Sequence, residues 1–275
     1  MAIEPVDGGP RASRAAGGRG QPSRRAAPSR ARRPAPAGRV IVVFGPKSGV
    51  GTSVIAANLA IALRELVSRV ILFEAHHDLG NQTTILGMAP DRHVGHALEG
   101  HLAAALLSHS SGIEVLLRSP ESEAITVAQL RALLREARGL APYTVVDSAP
   151  RQDESFHALL EEADYLLMVT TPEITVLRHG ERLLERAAAW GVLAKLGVVI
   201  NRAESESAVE PAQLEALFGG RIVAQLPSAG RLVVDAANAG RPFIVDDAQH
   251  PLSQALYTLA RRLVQESRRR SATTP

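Results

Sequence analysis

The chain has 275 residues, 45% hydrophobic and only 3% aromatic, which allows one substantial core built from Leu, Val, Ile and Ala. It contains no cysteine, so disulfides, thiolate metal sites and thiol nucleophiles are excluded, and a reducing, cytoplasmic setting is the expectation. No apolar run approaches the roughly 18 residues of a membrane span, and the basic N-terminus lacks the apolar stretch of a secretory signal.

The formal charge of +3 is unevenly spread. Residues 8–39 carry Arg11, Arg14, Arg19, Arg24, Arg25, Arg30, Arg32, Arg33 and Arg39 and no acid, so the remainder is net acidic. Residues 1–38 are Ala, Arg, Gly, Pro and Ser without hydrophobic period, the composition of a disordered tail. Such a tail serves either as a solvated leader or as a polycation for DNA or anionic lipid. Nearly every cation is arginine; the only lysines are Lys47 and Lys195.

Order is expected from Arg39. Val40 to Phe44 form a continuous apolar run, the pattern of a strand buried on both faces. A Gly-rich turn follows, then a helix with apolar positions at Ile55, Leu59, Ala62, Leu63 and Leu66. Further buried strands are read at Val70–Phe73, ending at Glu74, and at Ile113–Leu117. A helix from about Val127 to Arg138 leads to Tyr143–Val146, which ends at Asp147. Tyr165–Val169 and Leu196–Ile200 are strands separated by a helix around 175–190. Arg221–Ala224 is a short strand before Pro227, and a last helix runs from about Leu252 to Gln265. Short strands alternating with helices predict an α/β fold with a mostly parallel central sheet and helices on both faces, one domain over 39–267 and a short tail at 268–275. Ligands of such sheets sit beyond the carboxyl ends of the strands. Lys47 to Ser53, Glu74, Asp147, Thr171 and Asn201 all fall there.

Gly45-Pro46-Lys47-Ser48-Gly49-Val50-Gly51-Thr52-Ser53 lies between a buried strand and a helix start. Gly49 and Gly51 let the backbone turn its N–H groups inward as a nest for phosphate oxygens. Ser53 stands where a phosphate-loop hydroxyl holds Mg²⁺, whereas Pro46 and Thr52 replace the first glycine and the lysine of GxxxxGK[ST].

This loop resembles the deviant Walker A motif of the MinD/ParA family, KGGxGK[ST], with Lys47 at the signature lysine and Ser48 at a usual glycine. Versions without the second lysine are typical of the CpaE/TadZ branch, which serves Flp-type pilus assembly. Phe73 to Asn81 with Ile85-Leu86-Gly87-Met88, Val145 to Pro150, Thr171-Pro172-Glu173, Ile200-Asn201-Arg202, Leu226-Pro227 and Asn238 to Pro242 resemble that branch in the same order, covering about residues 39–265. The resemblance implies ATP and Mg²⁺ as cofactors. It implies a homodimer on ATP binding in which Lys47 reaches the partner's phosphates. Ser48, Gly49, Val50, Gly51, Thr52 and Ser53 would bind phosphate; Ser53 and, through water, Asp147 would hold Mg²⁺. Asn201, Arg202 and Pro227 would meet the base, although Asn201 also fits a polar strand cap. Partners implied by the branch are pilus and secretion machinery, including a secretion ATPase.

The departures concern hydrolysis. The family's D-x-D after the second strand is Glu74 and His76 here. Glu74 keeps a carboxylate within reach of magnesium water, but His76 gives no fixed negative charge. Thr52 removes a cation from the phosphates. Because electrostatic stabilisation dominates phosphoryl transfer, ATP binding with slow or absent hydrolysis is expected. His76, His77, His93, His96 and His101 lack metal-binding spacing and are read as surface histidines.

Two alternative functions remain open. A ParA-like DNA-partition ATPase would use the basic tail together with Arg178, Arg182 and Arg186. A MinD-like septum-positioning ATPase would sit peripherally on the inner face of the membrane. Its contact would be the Leu252, Leu256, Leu259 and Leu263 stripe beside Arg268 to Arg270, a stripe that otherwise packs on the sheet.

Overall fold

A computed structural model describes residues 37–75, 80–118, 124–150, 153–204 and 209–273. The tail expected at 1–38 therefore lies almost wholly outside the described residues. Element order along the chain is β1 (Arg39–Phe44), α1 (Thr52–Arg64), β2 (Val70–Glu74), α2 (Gln82–Leu86), α3 (Val94–Glu99), α4 (Leu102–Ala105), β3 (Leu107–Ser108) and β4 (Glu114–Leu116). There follow α5 (Val127–Leu140), β5 (Tyr143–Asp147), α6 (Glu154–Glu162), β6 (Tyr165–Thr170), α7 (Ile174–Ala189), β7 (Leu196–Asn201), α8 (Pro211–Phe218), β8 (Ile222–Leu226), α9 (Arg231–Asn238), α10 (Phe243–Asp246) and α11 (Pro251–Thr273).

The strands form an 8-stranded sheet in the order β3-β4-β2-β5-β1-β6-β7-β8. Among the described residues only the β3–β4 pairing is antiparallel. Alternate side chains of a strand point to opposite faces. On β1, Ile41 and Val43 enter the core shared with α1 and α11, whereas Val40, Val42 and Phe44 enter the core shared with α5, α6 and α7. Helices on both faces explain why the central strands read as unbroken apolar runs. The chain leaves β1 toward β2 on one side and grows from β6 toward β8 on the other. A crevice therefore opens between the carboxyl ends of β1 and β6, the place where ligands of such sheets bind.

α1 is buried without interruption from Ile55 to Leu63 because it lies between the sheet and α11. α11 contributes the Leu252, Leu256, Leu259 and Leu263 stripe, which is buried in that core at 4, 0, 2 and 3% exposure. Those leucines are thus committed to packing and do not face outward as a lipid-binding surface. Where a tail was expected from residue 268, α11 continues to Thr273. Arg, Ser and Ala here do not break a helix, and cations suit its C-terminal end. The extension is also tied down: the Arg270 guanidinium lies 4.5 Å over the Tyr165 ring, and Ser271 accepts a hydrogen bond from Arg39.

At the opposite pole from the strand carboxyl ends, Asp164 joins three elements. Its carboxylate accepts from the Val40 N–H at 2.9 Å, from Arg39 at 2.8 Å and from Arg138 at 2.6 Å. Burial works to raise its pKa, but the Val40 N–H and the two guanidinium groups outweigh burial and hold it below the ordinary carboxylate range.

Candidate functional site

β1 ends at Phe44, and the chain turns at once. A side chain at Gly45 would collide with Val50 and Thr52, so the turn can close this tightly only with glycine. Lys47, Ser48 and Gly49 stand in solvent, and Val50 folds back into the core. Gly49 and Gly51 have φ of 87° and 95°, the left-handed region that other residues adopt only under strain. Gly51 is the N-cap of α1 and offers no side chain to cap it. The first N–H groups of α1 are consequently directed, with the helix's positive end, toward whatever anion the loop encloses. The backbone conformation at Gly49 and Gly51 fits the phosphate nest expected for Gly49, Val50, Gly51, Thr52 and Ser53.

The neighbouring strands place two carboxylates beside that nest. Asp147 is paired in register with Val43 on one side and Glu74 on the other, and both acids are buried. The Glu74 carboxylate accepts the backbone N–H groups of Gln82 at 2.9 Å and Arg118 at 3.3 Å. Through these bonds Glu74 holds the start of α2 and the segment that follows β4. Asp147 Oδ2 accepts from Gln82 Nε2 at 2.8 Å, and the same nitrogen donates to the carbonyl of Ser53 at 3.0 Å. Ser53 and Asp147, the pair expected at Mg²⁺, are therefore joined through one side chain. Nothing in the sequence singled out Gln82; a lone glutamine in a five-residue helix has no period or motif to mark it.

Asn201, Arg202 and Pro227 reach the same cleft from β7 and β8. The Asn201 amide donates to the Val50 carbonyl at 2.9 Å, while its oxygen accepts the Arg202 N–H at 3.0 Å. Arg202 is the one non-glycine residue with positive φ among the described residues, at 54°, and its guanidinium extends to the Gly49 carbonyl at 3.5 Å. In this arrangement Asn201 and Arg202 brace the loop. The cleft they help enclose has a volume of about 660 Å³, with Lys47 and Ser53 on one wall and Pro227, Val233 and Ala237 on another. An apolar wall facing a polar loop suits a ligand with a flat apolar part and an anionic part.

His76, His77 and Asp78 lie outside the described residues. His93 and His96 form a capping box at the start of α3, with their rings 4.4 Å apart. Among the described residues no group of three or more His, Asp or Glu could hold a metal ion. Among them, too, no helix is long and apolar enough to cross a membrane.

A backbone nest after the first strand of a parallel sheet, with an acid at the end of the adjacent strand, defines the P-loop nucleotide-binding class of proteins. Residues 41–242 match the CobQ/CobB/MinD/ParA nucleotide binding domain, and the chain belongs to that family. It is 26% identical over 243 residues to a putative septum site-determining protein MinD of Emiliania huxleyi, covering 83% of this chain and 88% of that protein. It is 28% identical to the septum site-determining protein MinD of Thermotoga maritima, covering 82% and 88%. Among solved structures, the MinC:MinD cell division protein complex of Aquifex aeolicus matches with a TM-score of 0.72 at 25% identity, over 82% of this chain and 96% of that one. The MinD of Pyrococcus horikoshii complexed with Mg-ADP shares the fold, with a TM-score of 0.72 at 20% identity, over 82% and 95%.

Proposed function

We propose that the protein is a nucleotide-operated switch that binds ATP with Mg²⁺, pairs with a second copy of itself in that state, and hydrolyses ATP slowly. The observation that carries this reading is the Gly49–Ser53 turn, whose two left-handed glycines open the uncapped start of α1 into a roomy cleft. The backbone of Ser48, Gly49, Val50, Gly51 and Thr52 binds phosphate in this reading, Ser53 and Asp147 hold hydrated magnesium, and Pro227 with the Asn201–Arg202 turn meets the base. Bound magnesium supplies neutralisation of phosphate charge. Lys47, which is exposed, serves the partner's phosphates in this reading.

Slow turnover is supported by two features. Thr52 contributes no cation to the nest. Glu74, in place to orient water only if its carboxylate is available, is bonded to two backbone N–H groups. The same loop chemistry, a signature lysine without the second one, supports a role in positioning pilus or secretion machinery, with a secretion ATPase as partner. A MinD-like role in septum positioning is the second reading, favoured by the MinD relatives; the leucine stripe of α11 is not its membrane contact. A ParA-like DNA role draws on Arg178 and Arg182, exposed on α7.

Light scattering coupled to size exclusion, in ATP and in ADP, tests the switch. The expected result is a dimer in Mg-ATP alone, lost in Lys47→Ala. A monomer under both nucleotides, with no heat on titrating ATP, would overturn it. Phosphate release at the rate of an ordinary MinD-type ATPase would overturn the slow-turnover part. ATP-stimulated, salt-sensitive retention of plasmid DNA would favour the DNA role.

A further inference from the structure

We infer that Gln82 is a positioning residue for the magnesium site: it fixes the Asp147 carboxylate relative to the loop that carries Ser53. This deepens the nucleotide reading above and rests on it.

Gln82 has no exposed surface. Its two observed side-chain partners, the Ser53 carbonyl and Asp147 Oδ2, are both acceptors, so the NH₂ end of the amide must face them. One nitrogen thus spans the helix that opens the phosphate nest and the acid at the end of β5. The bond to Oδ2 sets the plane of the Asp147 carboxylate, and the bond to Ser53 sets that plane relative to α1. Neither leucine nor glutamate could replace it: the first has no donor, and the second would set a carboxylate against a carboxylate and a carbonyl.

Positioning also needs a rigid base, and Gln82 has one at both ends of its helix. Its own N–H is bonded to the buried Glu74 carboxylate. At the other end of α2, Gly87 and Gly240 meet backbone to backbone, each with φ of 61°, so the turn after α2 is locked onto the turn after α9. Gln82 Oε1 is buried and has no hydrogen-bond partner among the described residues. A buried acceptor in that condition is unfavourable, and a water on a hydrated cation is a donor of the kind it lacks. Glu74, by the same bonds, is a support for Gln82 and thereby for Asp147.

The test is the magnesium dependence of nucleotide affinity, measured with a fluorescent ATP analogue on the full chain, in EDTA and in millimolar magnesium. Wild type should bind more tightly with magnesium. In Gln82→Met, the magnesium-free affinity should stay within about twofold while the gain from magnesium falls by about tenfold or more, each tenfold being about 1.4 kcal/mol. Gln82→Glu should lose the gain as well. A general loosening of the fold would instead weaken binding in both buffers alike, and that outcome would overturn the proposal. So would variants that keep the full magnesium gain. Thermal melts check folding, and failure of both variants to fold would assign the amide a structural role and overturn the inference. Absence of binding by wild type itself would remove the nucleotide reading, and this inference with it.

Discussion

The side-chain amide of Asn201, at the end of β7, donates to the Val50 carbonyl at 2.9 Å and so fastens the phosphate loop to a strand two places away in the sheet. The loop's conformation is therefore shared between its glycines and a distant strand. Replacing Asn201 by Ala removes the brace without touching the core. Nucleotide affinity should fall roughly tenfold, the equivalent of one hydrogen bond of about 1–1.5 kcal/mol, while the thermal midpoint barely moves. Calorimetric titration beside a melting curve separates the two effects.

Gly51 stands under the same amide. A methyl group there would lie 2.6 Å from Asn201 Nδ2 and would have to adopt φ of 95°. Strain of that type costs about 1–3 kcal/mol, and the loop is the part that can yield. Gly51→Ala should abolish detectable nucleotide binding in a protein whose circular dichroism is unchanged.

Asp164 provides a pH prediction. Its folded-state pKa lies below the ordinary value, so the stability it contributes is complete above the unfolded pKa and is lost as pH falls through the folded one. Urea melts taken from about pH 6 down to about pH 3 should show wild type losing stability. Asp164→Asn should start about 1–3 kcal/mol lower at the upper end, because buried donors lose a charged partner, and its curve should be flatter. Parallel curves would refute the assignment.

The α11 stripe makes the fourth prediction. Leu256 is fully buried on α11, a helix that packs against α1 and β8. Leu256→Ala should destabilise the fold by about 2–5 kcal/mol in urea, through lost burial and the cavity left behind. A residue reserved for lipid would leave stability unchanged in solution and alter only vesicle binding.

The parallel sheet was legible because Val40 to Phe44, Val70 to Phe73 and Tyr165 to Val169 are buried on both faces and so read as unbroken apolar runs, and Tyr143 to Val146 is broken only by the buried Thr144. The loop was legible because its glycines have a job that only the backbone can do. What stayed hidden was short or depended on distant contacts. α2 has five residues, too few for a helical period, and its meaning lies in what Gln82 touches 65 residues away in the chain. β3 contributes two residues of a ladder whose pairing only the fold decides. The end of α11 was misplaced because Arg268 to Arg270 look like a solvated tail until the fold brings Tyr165 and the Asp164 carbonyl to Arg270 and Arg39 to Ser271. The bond from the Arg118 N–H to Glu74 was likewise hidden, because no motif connects the two.

The two outer strands give the sheet unusual margins. β3 is only two residues long and antiparallel. β8 is irregular between Val198 and Val199 of its partner, and the carbonyl of its Val223 is already taken by Arg262. Neither rim presents a long, straight row of vacant amides to a passing chain, which is how many proteins avoid stacking into fibrils. Growth by adding strands is therefore discouraged on both margins of the sheet.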